Sequence, residues 1–346
     1  KESHLIGSTA IPLQDITYPT HFLQIVNQFP ERECLVFRSI RTGANTRHTY
    51  SQLLNKVNSV IQGFKKVVNM PEHTVVAIYL PNCLEYVYTQ LAAVCGGFIM
   101  MPLNPLLTKV QLERLLPRIN PSIVVTNEVL RKNVPEGYSL CLIDNDRTSD
   151  EEHHIYSMPE FLSIPPAMNY IEEVAKTLKP TDSSFYGCTS GSTGEPKICV
   201  YSHFAMINPF ITIDHTGNEP VETRVALMFT PLFTTAAHFQ IDAIFAAGAK
   251  VVVVDKFEPE AILNFIQEEH ATNINCAPSG ILALIHHPSF TASKVESVKH
   301  VIMGGAVVSD ALMNEAKEKM HLKSVKSGYG MTETRGRSEE RRVGKE

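Results

Sequence analysis

The sequence has no long apolar run and no excess of basic residues, and each absence excludes a class of protein. The longest apolar stretches, such as IDAIFAAGAKVVVV at residues 241–254, carry charged residues and are too short to cross a bilayer. No transmembrane segment is therefore predicted. The net charge is -5, whereas a nucleic-acid-binding surface needs a strong basic excess, so we expect no nucleic-acid partner.

Paired cysteines are absent as well. The chain has seven cysteines, and no two of them form a C-x-x-C motif. An odd number of thiols without metal or disulfide spacing is typical of a reducing compartment. We therefore expect an intracellular protein. The pattern does not distinguish the cytoplasm from an organelle such as the peroxisome or the mitochondrion.

Both ends of the sequence are unusual. It begins with Lys1 instead of methionine, and no signal-peptide pattern follows. Residues 335–346, RGRSEERRVGKE, contain eight charged residues of twelve. A solvated tail is one interpretation. We favour a non-native extension, because the segment interrupts a motif described below, and we expect the chain to be an incomplete protein.

Short apolar runs alternate with amphipathic segments along the chain. VVAIYL at residues 75–80 and KVVVV at residues 250–254 have the composition of buried strands, and residues 49–68 place apolar side chains at helical spacing. Strands that are apolar on both faces and alternate with helices indicate parallel sheets covered on both sides. The predicted fold class is therefore α/β.

The segment YGCTSGSTGEPK at residues 186–197 raises the question of function. A flexible linker, a hairpin loop between the strand-like segments on either side, and a phosphate-binding loop are the alternatives. Glycines let backbone N–H groups approach an anion closely, the small hydroxyl residues donate hydrogen bonds to phosphate oxygens, and Lys197 adds a positive charge. The spacing is neither that of a Walker A motif nor that of a G-x-S-x-G nucleophile elbow.

Further motifs accompany this loop in a fixed order: LPN (80–82), PLNP (102–105), PLF (231–233), GGA (304–306) and GYGMTET (328–334). Together they resemble the adenylate-forming, or AMP-binding, superfamily, and within it the acyl-CoA synthetases. The resemblance runs from about Thr49 to Thr334. It implies two stacked βα subdomains with largely parallel sheets covered by helices, the incomplete N-terminal domain of such an enzyme. We place the first subdomain in residues 1–180 and the second, with the phosphate loop and nucleotide site, in residues 181–334.

The same resemblance implies roles for individual residues. The loop would bind the β- and γ-phosphates of ATP through Thr189, Ser190, Gly191, Ser192, Thr193, Gly194 and Lys197. The other nucleotide contacts would come from Gly304, Gly305, Ala306, Tyr329, Gly330 and Thr332, with Tyr329 against the adenine ring and Thr332 at the α-phosphate. Glu333 would hold Mg²⁺. Lys197, Thr332 and Glu333 would be the catalytic residues.

The acyl group would lie near Gly304, Gly328, Thr234 and His238. Amino-acid-activating relatives place an aspartate soon after the strand at 224–231, and threonine at the comparable position disfavours an amino-acid substrate. Many acyl-CoA synthetases have histidine directly after PLF, where this chain has Thr234. His238 lies one helical turn further on and is either a substitute for that aromatic gate or an ordinary core histidine.

The implied reaction is ATP-dependent activation of a carboxylic acid, such as a fatty acid, to an acyl-adenylate, followed by transfer to CoA. Members of the superfamily continue beyond GYGMTE with a ribose-binding acid and a C-terminal domain that carries a further lysine. We expect this chain, without them, to bind ATP weakly and to turn over very poorly. The alternative is a degenerate, non-catalytic nucleotide-binding or scaffold protein. Two departures from the family pattern are compatible with it: Thr234, and Ile198 in place of the usual glycine. Acyl chain length and oligomeric state stay open.

Overall fold

A computed structural model describes the fold of residues 12–144, 149–167, 169–189, 196–214, 220–334 and 336–337. The helices of these segments are α1 (Tyr18–Gln28), α2 (Tyr50–Gln62), α3 (Leu84–Cys95), α4 (Lys109–Ile119), α5 (Met158–Ser163), α6 (Tyr170–Thr177), α7 (His203–Asp214), α8 (Thr235–Ala246), α9 (Pro259–Glu269), α10 (Pro278–Ile285) and α11 (Asp310–Lys319). Among the described residues, no helix has the length and apolar character needed to cross a membrane.

The strands of the same segments form two large sheets and one short hairpin. They are β1 (Glu33–Arg38), β2 (Asn45–Thr49), β3 (Val75–Ile78), β4 (Ile99–Pro102), β5 (Pro121–Thr126), β6 (Leu140–Leu142), β7 (Ile155–Ser157), β8 (Ser183–Cys188), β9 (Ile198–Ser202), β10 (Val225–Met228), β11 (Lys250–Val254), β12 (Asn273–Cys276), β13 (His300–Gly304), β14 (Ser324–Gly328), β15 (Gly330–Met331) and β16 (Gly336–Arg337).

Both large sheets are parallel except at one edge. Sheet I has the strand order β14-β13-β12-β10-β11-β1-β2, and sheet II has the order β7-β6-β5-β3-β4-β8-β9. The antiparallel pairs are β1 with β2 in sheet I and β8 with β9 in sheet II. The predicted α/β class with largely parallel sheets is confirmed.

Local sequence explains how several helices begin. Thr49 and Gln52 form a reciprocal capping box at the start of α2, and Thr108 and Gln111 form another at the start of α4. The hydroxyl of Ser309 accepts a hydrogen bond from the N–H of Leu312 at the start of α11, as the sequence predicts.

Apolar side chains alternate between two faces along each sheet. On β11, Val251 and Val253 face a core between the two sheets, whereas Val252 and Val254 face the opposite side of sheet I. Helices α1, α2, α3 and α8 fill the core between the sheets, while α9, α10 and α11 cover the outer face of sheet I and α4 covers that of sheet II. The result is a five-layer stack of helices and sheets.

The two sheets exchange strands across the boundary drawn at residue 180. Strands β1 and β2, from the first part of the chain, complete sheet I, and strands β8 and β9, from the second part, complete sheet II. A division at residue 180 is therefore not a division between the sheets. The charge-rich composition of residues 145–160, with two adjacent histidines, predicts a surface loop. This prediction is wrong for the end of the segment, where β7 and the start of α5 lie. Of the charged tail, residues 336–337 pair with β15, and residues 335 and 338–346 lie outside the described segments.

Candidate nucleotide site

The carboxyl ends of four parallel strands of sheet I meet at one edge. The strands are β10, β12, β13 and β14. After β10 the chain adds β11 on one side and then β12 on the other, so the strand order reverses between β10 and β12. In open α/β sheets, ligands bind outside the carboxyl ends of the strands near such a reversal. The motifs PLF, GGA and GYGMTET all follow strands at this edge.

The predicted phosphate loop is closed at its base by hydrogen bonds. The N–H of Thr189 donates to the carbonyl oxygen of Lys197 at 3.0 Å, and the N–H of Lys197 donates to Oγ1 of Thr189 at 3.0 Å. Nη1 of Arg118, near the end of α4, donates to the carbonyl oxygen of Pro196 at 3.0 Å. The loop thus joins two antiparallel strands, as the hairpin interpretation required. The predicted ligands Ser190, Gly191, Ser192, Thr193 and Gly194 lie outside the described residues.

The GYGMTET segment crosses from sheet I to the β8–β9 hairpin. The hydroxyl of Tyr201, on β9, donates a hydrogen bond to the carbonyl oxygen of Thr332. A Cβ atom built on Gly187 would lie 2.9 Å from the Tyr201 ring and 3.0 Å from Cγ2 of Thr332, which only glycine avoids at this close approach. Two motifs that are separated by more than a hundred residues in the sequence therefore meet in space.

The charges of the two motifs act on one thiol between them. Burial raises the pKa of Cys199, the carboxylate of Glu333 raises this pKa further, and Lys197 opposes the change. Lys197 and Glu333 are both exposed. Of the predicted catalytic residues, Thr332 contacts the β8–β9 hairpin, Glu333 follows Thr332 directly in the chain, and Lys197 stands directly before the start of β9.

The glycines of GGA and GYG lie side by side on sheet I. Gly304 pairs with Gly328, and a Cβ atom on Gly304 would come within 2.8 Å of the Gly328 carbonyl oxygen. Gly305 has a φ of +78° and open space around its Cα. Ala306 and Gly330 are exposed, as is Tyr329, with 60% of its surface accessible. This part of the edge is open to a ligand.

Thr234 and His238 lie on the first turns of α8. Oγ1 of Thr234 accepts a hydrogen bond from the N–H of Ala237 at 3.2 Å, so Thr234 caps the helix. His238 is only 1% exposed; its Nε2 lies 3.0 Å from the Tyr86 hydroxyl, and its ring packs edge-on against Phe185 at 5.0 Å. His238 therefore lies in the core, which agrees with its interpretation as an ordinary core histidine. Its part in acyl selection stays a prediction.

A metal at this site would depend on Glu333 and on the ligand. In the described part of the chain, no three His, Cys, Asp or Glu side chains form a group able to hold a metal ion. Mg²⁺ is usually bound by one or two carboxylates together with substrate phosphates, so an exposed Glu333 beside the base of the loop fits this ion.

The sequence marks some residues of the site without giving their contacts. Gly187 and Tyr201 stand within and just after the glycine-rich segment, but their contact with Thr332 depends on the pairing of β8 with β9. Arg118 carries no signal, and its contact with the loop depends on the placement of α4 on sheet II. Asn82 belongs to the LPN motif, which marks its position without giving its contacts.

Comparison with known families decides the assignment. The sequence model of the AMP-binding enzyme family matches residues 22–338. The chain belongs to this family. The match includes every motif quoted above and all of the predicted site residues.

Over the aligned segments, relatives are about 25% identical to this chain. 4-Coumarate–CoA ligase 3 of Arabidopsis thaliana is 25% identical over 336 residues, covering 93% of this chain and 58% of the relative. The peroxisomal OPC-8:0-CoA ligase 1 of the same plant is 25% identical over 313 residues, covering 87% and 55%. The chain thus spans little more than half the length of these relatives.

Solved structures of the family share the fold. A long-chain-fatty-acid-CoA ligase from Archaeoglobus fulgidus superimposes with a TM-score of 0.77 at 16% identity, covering 97% of this chain and 68% of that protein. At this identity the likeness concerns the fold alone.

The remaining departures from the family pattern have structural explanations. Ile198, in the position where glycine is usual, packs against the apolar cluster on the outer face of sheet II. The register of the hairpin places Cys188 opposite Ile198 and Cys199 opposite Gly187, so the two thiols lie on opposite faces. Both are half-buried free cysteines. Because their side chains lie on opposite faces of the hairpin, this arrangement excludes a disulfide between them.

Proposed function

We propose that this chain binds Mg·ATP between the carboxyl edge of sheet I and the β8–β9 hairpin, as the nucleotide-binding part of an AMP-forming acyl-CoA synthetase. The observation that carries the proposal is the contact of Thr332, which precedes Glu333, with the β8–β9 hairpin that also carries Lys197. A triphosphate lying across this junction would contact both motifs at once. Family membership and the CoA ligases among the relatives support the same activity.

Each predicted residue has a place in this scheme. The hairpin loop and Lys197 would hold the β- and γ-phosphates, since positive charge and closely spaced N–H groups bind anions. The exposed ring of Tyr329 offers a flat apolar surface for adenine. The open space around Gly305 leaves room beside the strand ends for the acyl group and the nucleotide.

The proposed reaction has two steps. A carboxylate oxygen attacks the α-phosphorus of ATP, the bond to the bridging oxygen breaks, and pyrophosphate leaves with both electrons of that bond. The thiol of CoA then attacks the acyl carbon, and AMP leaves. Thr332 would donate a hydrogen bond to the α-phosphate as its negative charge grows, and Lys197 would stabilise the departing pyrophosphate. Mg²⁺, held by Glu333, would supply further charge neutralisation when bound.

The acid is proposed to be a fatty or other uncharged acyl acid. An amino acid carries an ammonium group that needs a carboxylate partner, and the positions that follow PLF carry Thr234 and Thr235. Because Thr234 caps α8 through its own hydroxyl, that side chain already has a structural role at the edge of the pocket.

The decisive experiment measures how tightly the chain binds nucleotide. Binding is measured in the presence of Mg²⁺, either by calorimetry or with a fluorescent ATP analogue. We expect weak binding of Mg·ATP, with about tenfold weaker binding in Lys197→Ala, because one phosphate contact of roughly 1.4 kcal/mol is removed. Lys179→Ala, which removes an exposed lysine before β8, is the matched control. Equal affinity in Lys197→Ala and wild type would overturn the assignment of the loop.

Catalysis is tested separately by exchange of labelled pyrophosphate into ATP in the presence of aliphatic and aromatic acids. The alternative function, a nucleotide-binding scaffold without catalysis, predicts binding without exchange under any of these acids. Acid-dependent exchange, even at a low rate, would eliminate that alternative.

A further inference from the structure

Tyr201 follows the glycine-rich segment in the sequence, and none of the roles described above is assigned to it. It lies on β9 with 5% of its surface exposed, and its ring packs on that of Phe185 with the centroids 5.5 Å apart. Phe185 in turn packs edge-on against His238 of α8. The Tyr201 ring is therefore held on the inner face of the β8–β9 hairpin by Phe185, which His238 supports from behind.

Its hydroxyl is directed at the segment that follows sheet I. The Tyr201 O–H donates a hydrogen bond to the backbone carbonyl oxygen of Thr332. Because Gly187 has no Cβ atom, the Tyr201 ring and the Thr332 methyl group can both lie close to its backbone. The hydrogen bond and the glycine are two independent features of this junction. Both belong to the hairpin that ends in the predicted phosphate loop.

The segment that Tyr201 contacts is otherwise open to solvent. Tyr329, Met331 and Glu333 are exposed, and Thr332 is half-buried. The segment pairs with residues 336–337 through β15, and its other hydrogen bonds include that between the N–H of Met331 and Oγ1 of Thr334 at 3.4 Å. A short exposed segment with local contacts needs an outside partner to keep a defined position.

We propose that Tyr201 is a positioning residue, whose phenol holds Thr332 and Glu333 against the β8–β9 hairpin so that both face the same phosphate chain as Lys197. The contact between Tyr201 and Thr332 is argued from the structure alone, whereas its effect on nucleotide binding rests on the proposed function. Tyr201 does not touch the nucleotide in this scheme, and it acts by fixing the Thr332 backbone.

The contact is tested by amide hydrogen exchange in the absence of nucleotide. Tyr201→Phe keeps the ring on Phe185 and removes only the hydroxyl. We expect peptides that cover residues 329–334 to exchange about fivefold faster in this variant, the effect of losing roughly one hydrogen bond. Tyr186→Phe removes the neighbouring phenol on the outer face of the same hairpin and should leave these peptides unchanged. Unchanged exchange in Tyr201→Phe overturns the proposal.

The consequence for the site is tested with three ligands at a temperature where circular dichroism shows both proteins to be folded. Tyr201→Phe should bind Mg·ATP and AMP about fivefold more weakly and adenosine as well as wild type does, because only the phosphates meet Thr332 and Glu333. A higher Mg²⁺ concentration should be needed for half-maximal ATP binding. If Tyr201 had only a structural role, Tyr201→Phe would leave the affinities for Mg·ATP and AMP relative to that for adenosine, and the Mg²⁺ concentration for half-maximal ATP binding, as they are in wild type.

The outcomes separate this inference from the proposed function. Faster exchange together with a phosphate-dependent loss of affinity supports both. If wild type binds no nucleotide while exchange is faster in Tyr201→Phe, the proposed function fails and the contact is retained. A third outcome is that wild type binds Mg·ATP, that Lys197→Ala binds it more weakly, and that Tyr201→Phe binds it as tightly as wild type. In that case the positioning role is overturned while the proposed function stands.

Discussion

Oδ1 of Asn82 accepts a hydrogen bond from the backbone N–H of Leu232 at 2.7 Å. The amide group of the same side chain donates to the carbonyl oxygens of Thr230 and Val254, both at 3.1 Å. Asn82 follows β3 of sheet II, whereas Thr230 and Leu232 follow β10 of sheet I and Val254 is the last residue of β11. One buried side chain thus joins the carboxyl ends of the two sheets beside the candidate site.

Replacement of Asn82 by alanine should cost about 2–3 kcal/mol of unfolding free energy, because buried backbone groups lose their partners. Urea denaturation measures this loss. Asn104→Ala is the control, since Oδ1 of Asn104 accepts one hydrogen bond from the exposed Leu106, and it should cost under about 1 kcal/mol. Equal losses in the two variants would contradict the role given to Asn82.

Alanine at Gly187 should separate Tyr201 from Thr332. The added methyl group would meet both residues at about 3 Å, and overpacking of this kind costs roughly 1–3 kcal/mol. We expect lower stability in urea together with faster amide exchange in residues 329–334. A Gly187→Ala protein as stable as wild type, with unchanged exchange, would show that the junction is looser than described.

Cys199 reports on the charges of the site without any ligand. Since Glu333 raises the pKa of this thiol and Lys197 lowers it, Glu333→Gln should increase the thiolate fraction at pH 8 and Lys197→Ala should decrease it. Alkylation by iodoacetamide, followed by mass spectrometry of the Cys199 peptide, should change by roughly two- to fivefold in opposite directions. Cys188, on the other face of the hairpin, serves as the internal control for Glu333→Gln. Changes of the same sign in the two variants would contradict the geometry.

His203 should make the chain less stable in mild acid. Burial lowers its pKa to about 4, although Asp182 acts in the opposite direction. Between pH 6.5 and about 4 the unfolded chain therefore binds a proton that the folded chain does not, so the stabilising contribution is complete above pH 6.5 and falls as the pH falls. The expected loss between pH 7 and pH 4.5 is about 2–3 kcal/mol.

The measurement is the unfolding free energy at these two pH values in wild type and in His203→Gln. Because the Nδ1 atom of His203 accepts a weak hydrogen bond from the N–H of Tyr18 at 3.4 Å, glutamine retains an acceptor while removing the titration. The variant should show a smaller loss on acidification than wild type. Identical losses would mean that His203 is not the group that titrates.

The sequence predicts those parts of the fold that are decided locally. The apolar run Val251–Val254 gives β11, and the pattern that begins at Thr49 gives α2, because strand composition and capping act over a few residues. The pairing of β1 with β11 and of β8 with β4 joins parts of the chain that are distant in sequence, and the local apolar pattern does not specify it. For this reason the strand exchange between the sheets was not predictable.

The candidate site divides in the same way. Lys197 and Glu333 are recognisable because their motifs are contiguous in sequence. Their proximity depends on the register of β8 with β9 and on the path taken after β14, which the sequence does not specify. His238 shows the reverse problem, since its spacing from Thr234 suggested a pocket and its burial between Tyr86 and Phe185 places it in the core.

The crossing of β1–β2 into sheet I and of β8–β9 into sheet II has a consequence for assembly during synthesis. Sheet II cannot close until residue 202 has been made, and β1 must wait for β11, more than two hundred residues later, before its parallel neighbour exists. Such distant pairings slow folding and leave apolar strand edges uncovered in the meantime. Two polypeptides cut at residue 180 would each lack an edge of their own sheet, so that each would need the other to reach a soluble state.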